Sequence, residues 1–224
     1  MSTYLITGAN RGIGFELAKQ LAERQDIVIG TARDPGSATA LFEAGVEVVE
    51  LDVADDDLLA ALPEQVADRP IDVLINNAGV YNDKAGLDGT DLEKFMQSMR
   101  INAAGPLAVT RALLPRLEAG GKKLVVNISS TMGSLTNTAN GGSYGYRASK
   151  AALNMVTRTL AVDLAPQGIG VVCVHPGWVE TDMGGKGADL SPEESSRNII
   201  VTMDGLQAAD TGRFIDYKGD ELPW

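Results

Sequence analysis

Short apolar runs alternate with stretches of helical period along the 224-residue chain. Seven runs predict strands, at 3–7, 26–32, 46–53, 71–79, 123–130, 169–177 and 213–217. Helices are expected from about Gly12 to Arg24, near 37–44, over about 88–118, from about Tyr144 to Leu164, and over 191–204. Gly105 and Pro106 interrupt the longest of these, and a proline without an N–H predicts a bend there. Several strands are apolar almost throughout instead of alternating, as a parallel sheet covered on both faces requires. Strand–helix alternation of this kind builds an α/β fold, a doubly wound parallel sheet with helices on both faces. No Pro/Ser-rich linker, charge block or low-complexity tract divides residues 1–224, so a single domain is expected.

Composition narrows the partners more than the fold. Hydrophobic residues make up 44% of the chain, ample for one core. Thirty acids against nineteen bases give a formal charge of −11, which disfavours nucleic acid and anionic membrane surfaces. The lone cysteine, Cys173, sits in the apolar run VVCVHP, so no intrachain disulfide can form and a buried thiol is expected. The start, MSTYLITGAN, lacks a basic segment followed by a long apolar one, and no apolar run approaches bilayer length. A cytoplasmic location is expected. His175 is the only histidine, so no histidine-based metal cluster is expected, and G-x-S-x-G is missing, which argues against a serine hydrolase.

The first segment with chemistry in it is TGANRGIG (7–14), between the first strand and the first helix. Glycines there let the backbone turn tightly and approach a ligand. The helix that follows offers unpaired N–H groups and a positive dipole end, which suit a phosphate. The spacing is G-x-x-x-G-x-G, with Gly8, Gly12 and Gly14; neither G-x-G-x-x-G nor a P-loop fits. The position predicts dinucleotide binding over a plain turn. After the second strand, Arg33 stands where an acid would hold the adenosine ribose, with Asp34 one step later and Arg11 in the glycine loop. Two bases at this place favour the 2′-phosphate of NADP(H) over NAD.

Four segments in this order, TGANRGIG (7–14), NNAG (76–79), Asn102 in the following helix and YRASK (146–150), make the chain similar to the short-chain dehydrogenases/reductases. The resemblance runs from the glycine loop to VHPGWVETDM. It implies a single-domain Rossmann fold of about seven parallel strands. It implies that Gly8, Asn10, Arg11, Gly12, Ile13 and Gly14 contact the cofactor and that Asp52 and Val53 lie beside the adenine. Asn76, Ala78 and Gly79 would line the ribose and steady the central strand, and Pro176, Gly177, Val179 and Thr181 would hold the nicotinamide. The implied catalytic set is Asn102, Ser130, Tyr146 and Lys150, with Lys150 also bonding the nicotinamide ribose and Asn102 holding a proton-relay water. The insert MGSLTNTANGG lengthens the span between Ser130 and Tyr146 and leaves Ser129 a competitor for the serine role. The long insert and the Y-x-Y-R-x-S-K pattern resemble the carbonyl-reductase-like branch, which includes bacterial cell-contact signals.

Helical spacing separates the two tyrosines of SYGYRASK. Residues i and i+4 share a face, so Lys150 can act on Tyr146 and not directly on Tyr144. An ammonium beside a phenol lowers its pKa from about 10 toward the range useful for proton transfer. Tyr146 is thus the expected proton donor and Tyr144 a pocket-wall candidate. The resulting expectation is NADPH-dependent reduction of a small aldehyde or ketone. The alternatives are an NADP-binding regulatory or signalling protein, and a dehydratase, epimerase or lyase on the same scaffold. The substrate pocket is expected from the 131–145 insert, the 80–90 loop and the 182–190 segment. Pairing through the 88–118 region and the helix starting near Tyr144 would give a homodimer or homotetramer.

Overall fold

The computed structural model describes residues 1–224, apart from the side chain of Ala208. Seven strands form one sheet: β1 (Thr3–Ile6), β2 (Ile27–Ala32), β3 (Glu47–Glu50), β4 (Val73–Asn76), β5 (Leu124–Ile128), β6 (Gly170–His175) and β7 (Phe214–Asp216). Their order is β3-β2-β1-β4-β5-β6-β7, and every neighbouring pair is parallel. This is the doubly wound sheet that the continuous apolar runs predict. β1, β4 and β5 are buried at every position, because helices cover both faces. Two apolar clusters fill the two sides: Leu17, Leu21, Ile75, Val126 and Ile199 belong to one, Leu5, Leu74, Val109, Val125 and Leu160 to the other.

The helices are α1 (Gly12–Glu23), α2 (Thr39–Glu43), α3 (Asp56–Gln65), α4 (Leu92–Met99), α5 (Gly105–Ala112), α6 (Leu114–Glu118), α7 (Tyr144–Asp163) and α8 (Pro192–Gly205). Apolar patterning alone does not reveal α3. Its first turn is acidic and it contains Pro63, but Asp55 caps it by accepting from the N–H groups of Asp57 and Leu58. The bend expected at Gly105–Pro106 is a π-helical turn over Arg100–Ala104 that joins α4 to α5. Pro106 has no N–H for the carbonyl of Asn102, four residues earlier, so the regular ladder fails at that carbonyl.

The order of connection reverses between β1 and β4. The chain leaves β1 toward one edge and returns through β4 to build the other, so a crevice opens beyond their carboxyl ends. The expected strands overrun the observed ones there: Leu51–Val53, Asn77–Gly79, Ser129–Ser130 and Pro176–Gly177 all leave the ladder.

Candidate active site

A cleft of about 900 Å³ opens at this switch point. The glycine loop forms one wall, with Gly8, Asn10, Arg11, Gly12, Ile13 and Gly14. Gly8 and Gly12 adopt left-handed backbone angles, φ +63° and +57°. At Gly14 a Cβ would lie 2.4 Å from both Asn77 Nδ2 and Gly8 O, so only glycine lets α1 start this close to β1. No side chain caps the start of α1, and its first turn carries no acid. Its free N–H groups are therefore open to an anion.

Arg33, Asp52 and Val53 line the same cleft at the ends of β2 and β3. Asp34 does not, since its carboxylate turns back to accept from Gly36 N at 3.0 Å. Arg11 reaches Asp182 across the mouth at 3.0 Å, with both side chains exposed. Ala78 and Gly79 line the cleft, whereas Asn76 does not. Asn76 is buried and donates to Asn127 Oδ1 at 2.8 Å and Thr110 Oγ1 at 3.3 Å, tying β4 to β5. The asparagine that faces the site is Asn77, whose amide donates to the carbonyls of Thr7 and Gly8, each at 3.0 Å. Single-chain pattern reading does not tell these two apart. Pro176 and Thr181 also line the cleft. Gly177 and Val179 do not: Gly177 (φ +85°) packs against Leu190, and buried Val179 bridges to Leu190. They shape the 176–190 segment from behind.

Tyr146, in the first turn of α7, is 8% exposed, and Lys150 follows one turn later. Burial pushes the Tyr146 phenol up to about 12, a hydrogen bond with Ser130 opposes that, and Tyr81 adds to it. The lowering expected from Lys150 is not seen. Lys150 Nζ lies over the ring, 5.8 Å from its centroid, and donates to Ile128 O at 2.7 Å, so its charge is not directed at the phenol oxygen. Burial instead pulls Lys150 itself down to about 8.

The two serines have different surroundings. Ser129 lines the cleft but its Oγ donates to buried Asn154 Oδ1 at 2.6 Å; Ser130 does not line the cleft, accepts from Met132 N, and stands next to the Tyr146 phenol, whose pKa it lowers. Asn102, in the π turn, accepts from Val80 N (2.8 Å) and donates to Val80 O (2.9 Å) and Ser149 Oγ (3.0 Å). It therefore clamps the 79–81 segment onto α7. A Cβ on Gly79 would meet Asn102 Oδ1 at 3.1 Å and Lys150 Nζ at 3.8 Å, so these three groups converge.

Tyr144 does not line the cleft and is 40% exposed. The aromatic wall is Tyr81, whose ring centroid is 4.4 Å from that of Tyr146. The 80–90 loop and the 182–190 segment contribute Val80, Tyr81, Asn82, Asp182 and Met183, and no described residue of 131–145 lines the cleft. Cys173 is buried, with its thiol pushed up to about 12 by burial, and it takes no part in the cleft. Among the described residues, no group of three or more His, Cys, Asp or Glu is placed to hold a metal.

A parallel sheet with its glycine loop at the switch point, facing a Ser–Tyr–Lys cluster, defines a dinucleotide-dependent class of fold and site. A family model described as short chain dehydrogenase matches residues 2–189. The chain belongs to that family. It is 46% identical over 166 residues to the C-signal of Myxococcus xanthus, an alignment that covers 74% of this chain and all of that protein. Among solved structures, the carbonyl reductase Sniffer of D. melanogaster matches with a TM-score of 0.93 and 34% identity over the whole of both chains. An NADPH-bound carbonyl reductase from chicken fatty liver matches at 0.92 and 31%, covering 100% of this chain and 99% of that one. Within its family the chain falls in the carbonyl-reductase-like branch.

Proposed function

We propose that this protein is an NADPH-dependent reductase of small aldehydes or ketones, reversible in principle as an alcohol dehydrogenase. The observation that carries the reading is the pair Tyr146 and Lys150 in a cleft whose other wall is the uncapped glycine loop, with Ser130 next to the Tyr146 phenol. The bound nicotinamide supplies the hydride. Amides at the start of α1 bind the cofactor's phosphates, and Arg11 and Arg33 favour a 2′-phosphate while Asp34 is turned away. The NADPH-bound and NADP-bound states of two similar structures support that preference. Ser130 donates a hydrogen bond to the substrate oxygen and fixes its direction. Tyr146 gives its phenolic proton to that oxygen as it gains negative charge. Lys150 contacts the cofactor ribose, and its ammonium stabilises the phenolate left behind once it turns from Ile128 O toward the phenol oxygen. Asn102 Oδ1 keeps one lone pair for a relay water beside Lys150. Exposed Leu92, Met96, Met155 and Val162 on α4 and α7 support pairing of two copies.

The relative named C-signal favours a second reading, an NADP-binding signalling protein with little turnover. Purified protein mixed with NADPH or NADH and a panel of aldehydes and ketones separates the two. Consumption of NADPH, faster than of NADH, with alcohol formed in equal amount, is the expected outcome. NADPH binding without consumption across the panel would favour the signalling protein, and product without net oxidation would indicate an epimerase or lyase.

A further inference from the structure

Helix α7 carries Tyr146 and Lys150, yet it lacks a cap of its own. Ser143, the residue before it, sits in a left-handed conformation (φ 53°, ψ 43°) and makes no side-chain capping bond. The orphan N–H groups of the first turn are met from another part of the chain. Asp83, 6% exposed, accepts from Gly145 N with Oδ2 at 2.5 Å and from Tyr146 N with Oδ1 at 3.2 Å. One carboxylate thus holds the main chain of the tyrosine itself and of the residue before it. No side chain other than glycine fits at 145, where a Cβ would lie 2.9 Å from Asp83 Oδ2 and 2.9 Å from Phe95 Cα.

The contact belongs to a wider seam. Ser143 N donates to Ala85 O at 3.0 Å, and the hydroxyls of Tyr81 and Ser143 share a hydrogen bond of 2.8 Å. At the other end of the same loop, Asn82 Oδ1 accepts from buried Ser98 Oγ on α4 at 3.0 Å. The 81–85 segment is therefore fastened to α4 and to the start of α7, and it also lines the cleft through Tyr81 and Asn82. A helix end held at two adjacent amides cannot fray or rotate without breaking both bonds.

We propose that Asp83 is a positioning residue for the reaction: it caps α7 in trans from the cleft loop and fixes where the Tyr146 phenol stands relative to Ser130. This rests on the reductase reading above. Proton transfer is steep in distance, and a displacement of about 1 Å can cost about 100-fold in rate. Asp83→Asn keeps the size of the side chain but sets an amide N–H₂ against one of the two donors, so one bond is lost. Asp83→Ala loses both.

The test compares wild type, Asp83→Asn and Asp83→Ala in three readouts: NADPH affinity by fluorescence, kcat and KM for benzaldehyde or the best carbonyl of the panel, and hydrogen exchange of the 143–150 amides without substrate. The expected result is faster exchange at Gly145 and Tyr146, a kcat lowered about tenfold in Asp83→Asn and further in Asp83→Ala, and NADPH affinity unchanged. Wild-type kcat in Asp83→Asn despite faster exchange would make the cap structural only and overturn the role. Unchanged exchange in Asp83→Asn would overturn the capping itself, whether or not Asp83→Ala folds. A wild type that consumes no NADPH with any carbonyl would overturn the reductase reading and this role with it. Loss of turnover confined to the Asp83 variants would leave the reductase reading standing.

Discussion

Burial keeps the Tyr146 phenol protonated up to about 12 and leaves Lys150 titrating near about 8. Between neutral and strongly alkaline pH, the group in this pair that changes charge is therefore the lysine. Its pKa is lowered, so the ammonium is present below about 8 and lost as pH rises through it. If that ammonium stabilises the phenolate, kcat/KM for carbonyl reduction is level below pH about 8 and falls above it. A profile of kcat/KM against pH checks this, and one flat to about pH 10 would contradict it. The pairing of Tyr146 with Lys150 is legible in the sequence because i,i+4 spacing fixes a shared face. What the ammonium bonds is not legible, since Ile128 O reaches it only through the fold of the sheet. The different surroundings of Ser129 and Ser130 are hidden for a similar reason: neighbours at a strand end face opposite sides, and the sequence does not say which side holds the tyrosine. Tyr81, Asn77 and Asp83 carry no motif of their own, and they gain their roles by distance across the chain.

Element ends are where patterning and structure diverge. The apolar runs at 46–53, 71–79, 123–130 and 169–177 end beyond the ladders they predict, and most of the excess residues, among them Leu51–Val53, Asn77–Gly79, Ser129 and Pro176, line the cleft. Helix α3 is hidden by its acidic start and Pro63 although Leu59 and Leu62 bury its inner face. At the opposite end of the sheet, Asp72 joins three elements. Its carboxylate accepts from Thr3 N at 2.7 Å, Gly121 N at 2.6 Å and Lys122 N at 3.3 Å. Burial pushes its pKa up, but these three donors outweigh that and hold it below the ordinary carboxyl value. With a lowered native pKa, its contribution is complete above the unfolded value of about 4 and is lost as pH falls through the native one. Asp72→Asn should therefore cost about 1–3 kcal/mol at neutral pH. Urea denaturation of both proteins should show the gap closing on acidification below about pH 4; a gap independent of pH would contradict the assignment.

At the scale of the whole molecule, the sheet order places the glycine loop, the 77–79 segment, Tyr146 and Lys150 around one crevice. The doubly wound architecture follows from continuous apolar strands and was legible in outline. The cleft's contents were legible where a motif is local, and not where three distant segments meet, as the 81–85 loop, α4 and α7 do. No described helix is long and apolar enough to cross a membrane. In the proposed reaction Tyr146 is the group that protonates the carbonyl oxygen. The most direct test is kcat for carbonyl reduction by Tyr146→Phe, with NADPH affinity measured on the same sample. The expected result is a fall of at least about 100-fold in kcat with NADPH affinity nearly unchanged. Near-normal kcat in the phenylalanine variant, against a carbonyl that the wild type reduces, would contradict it.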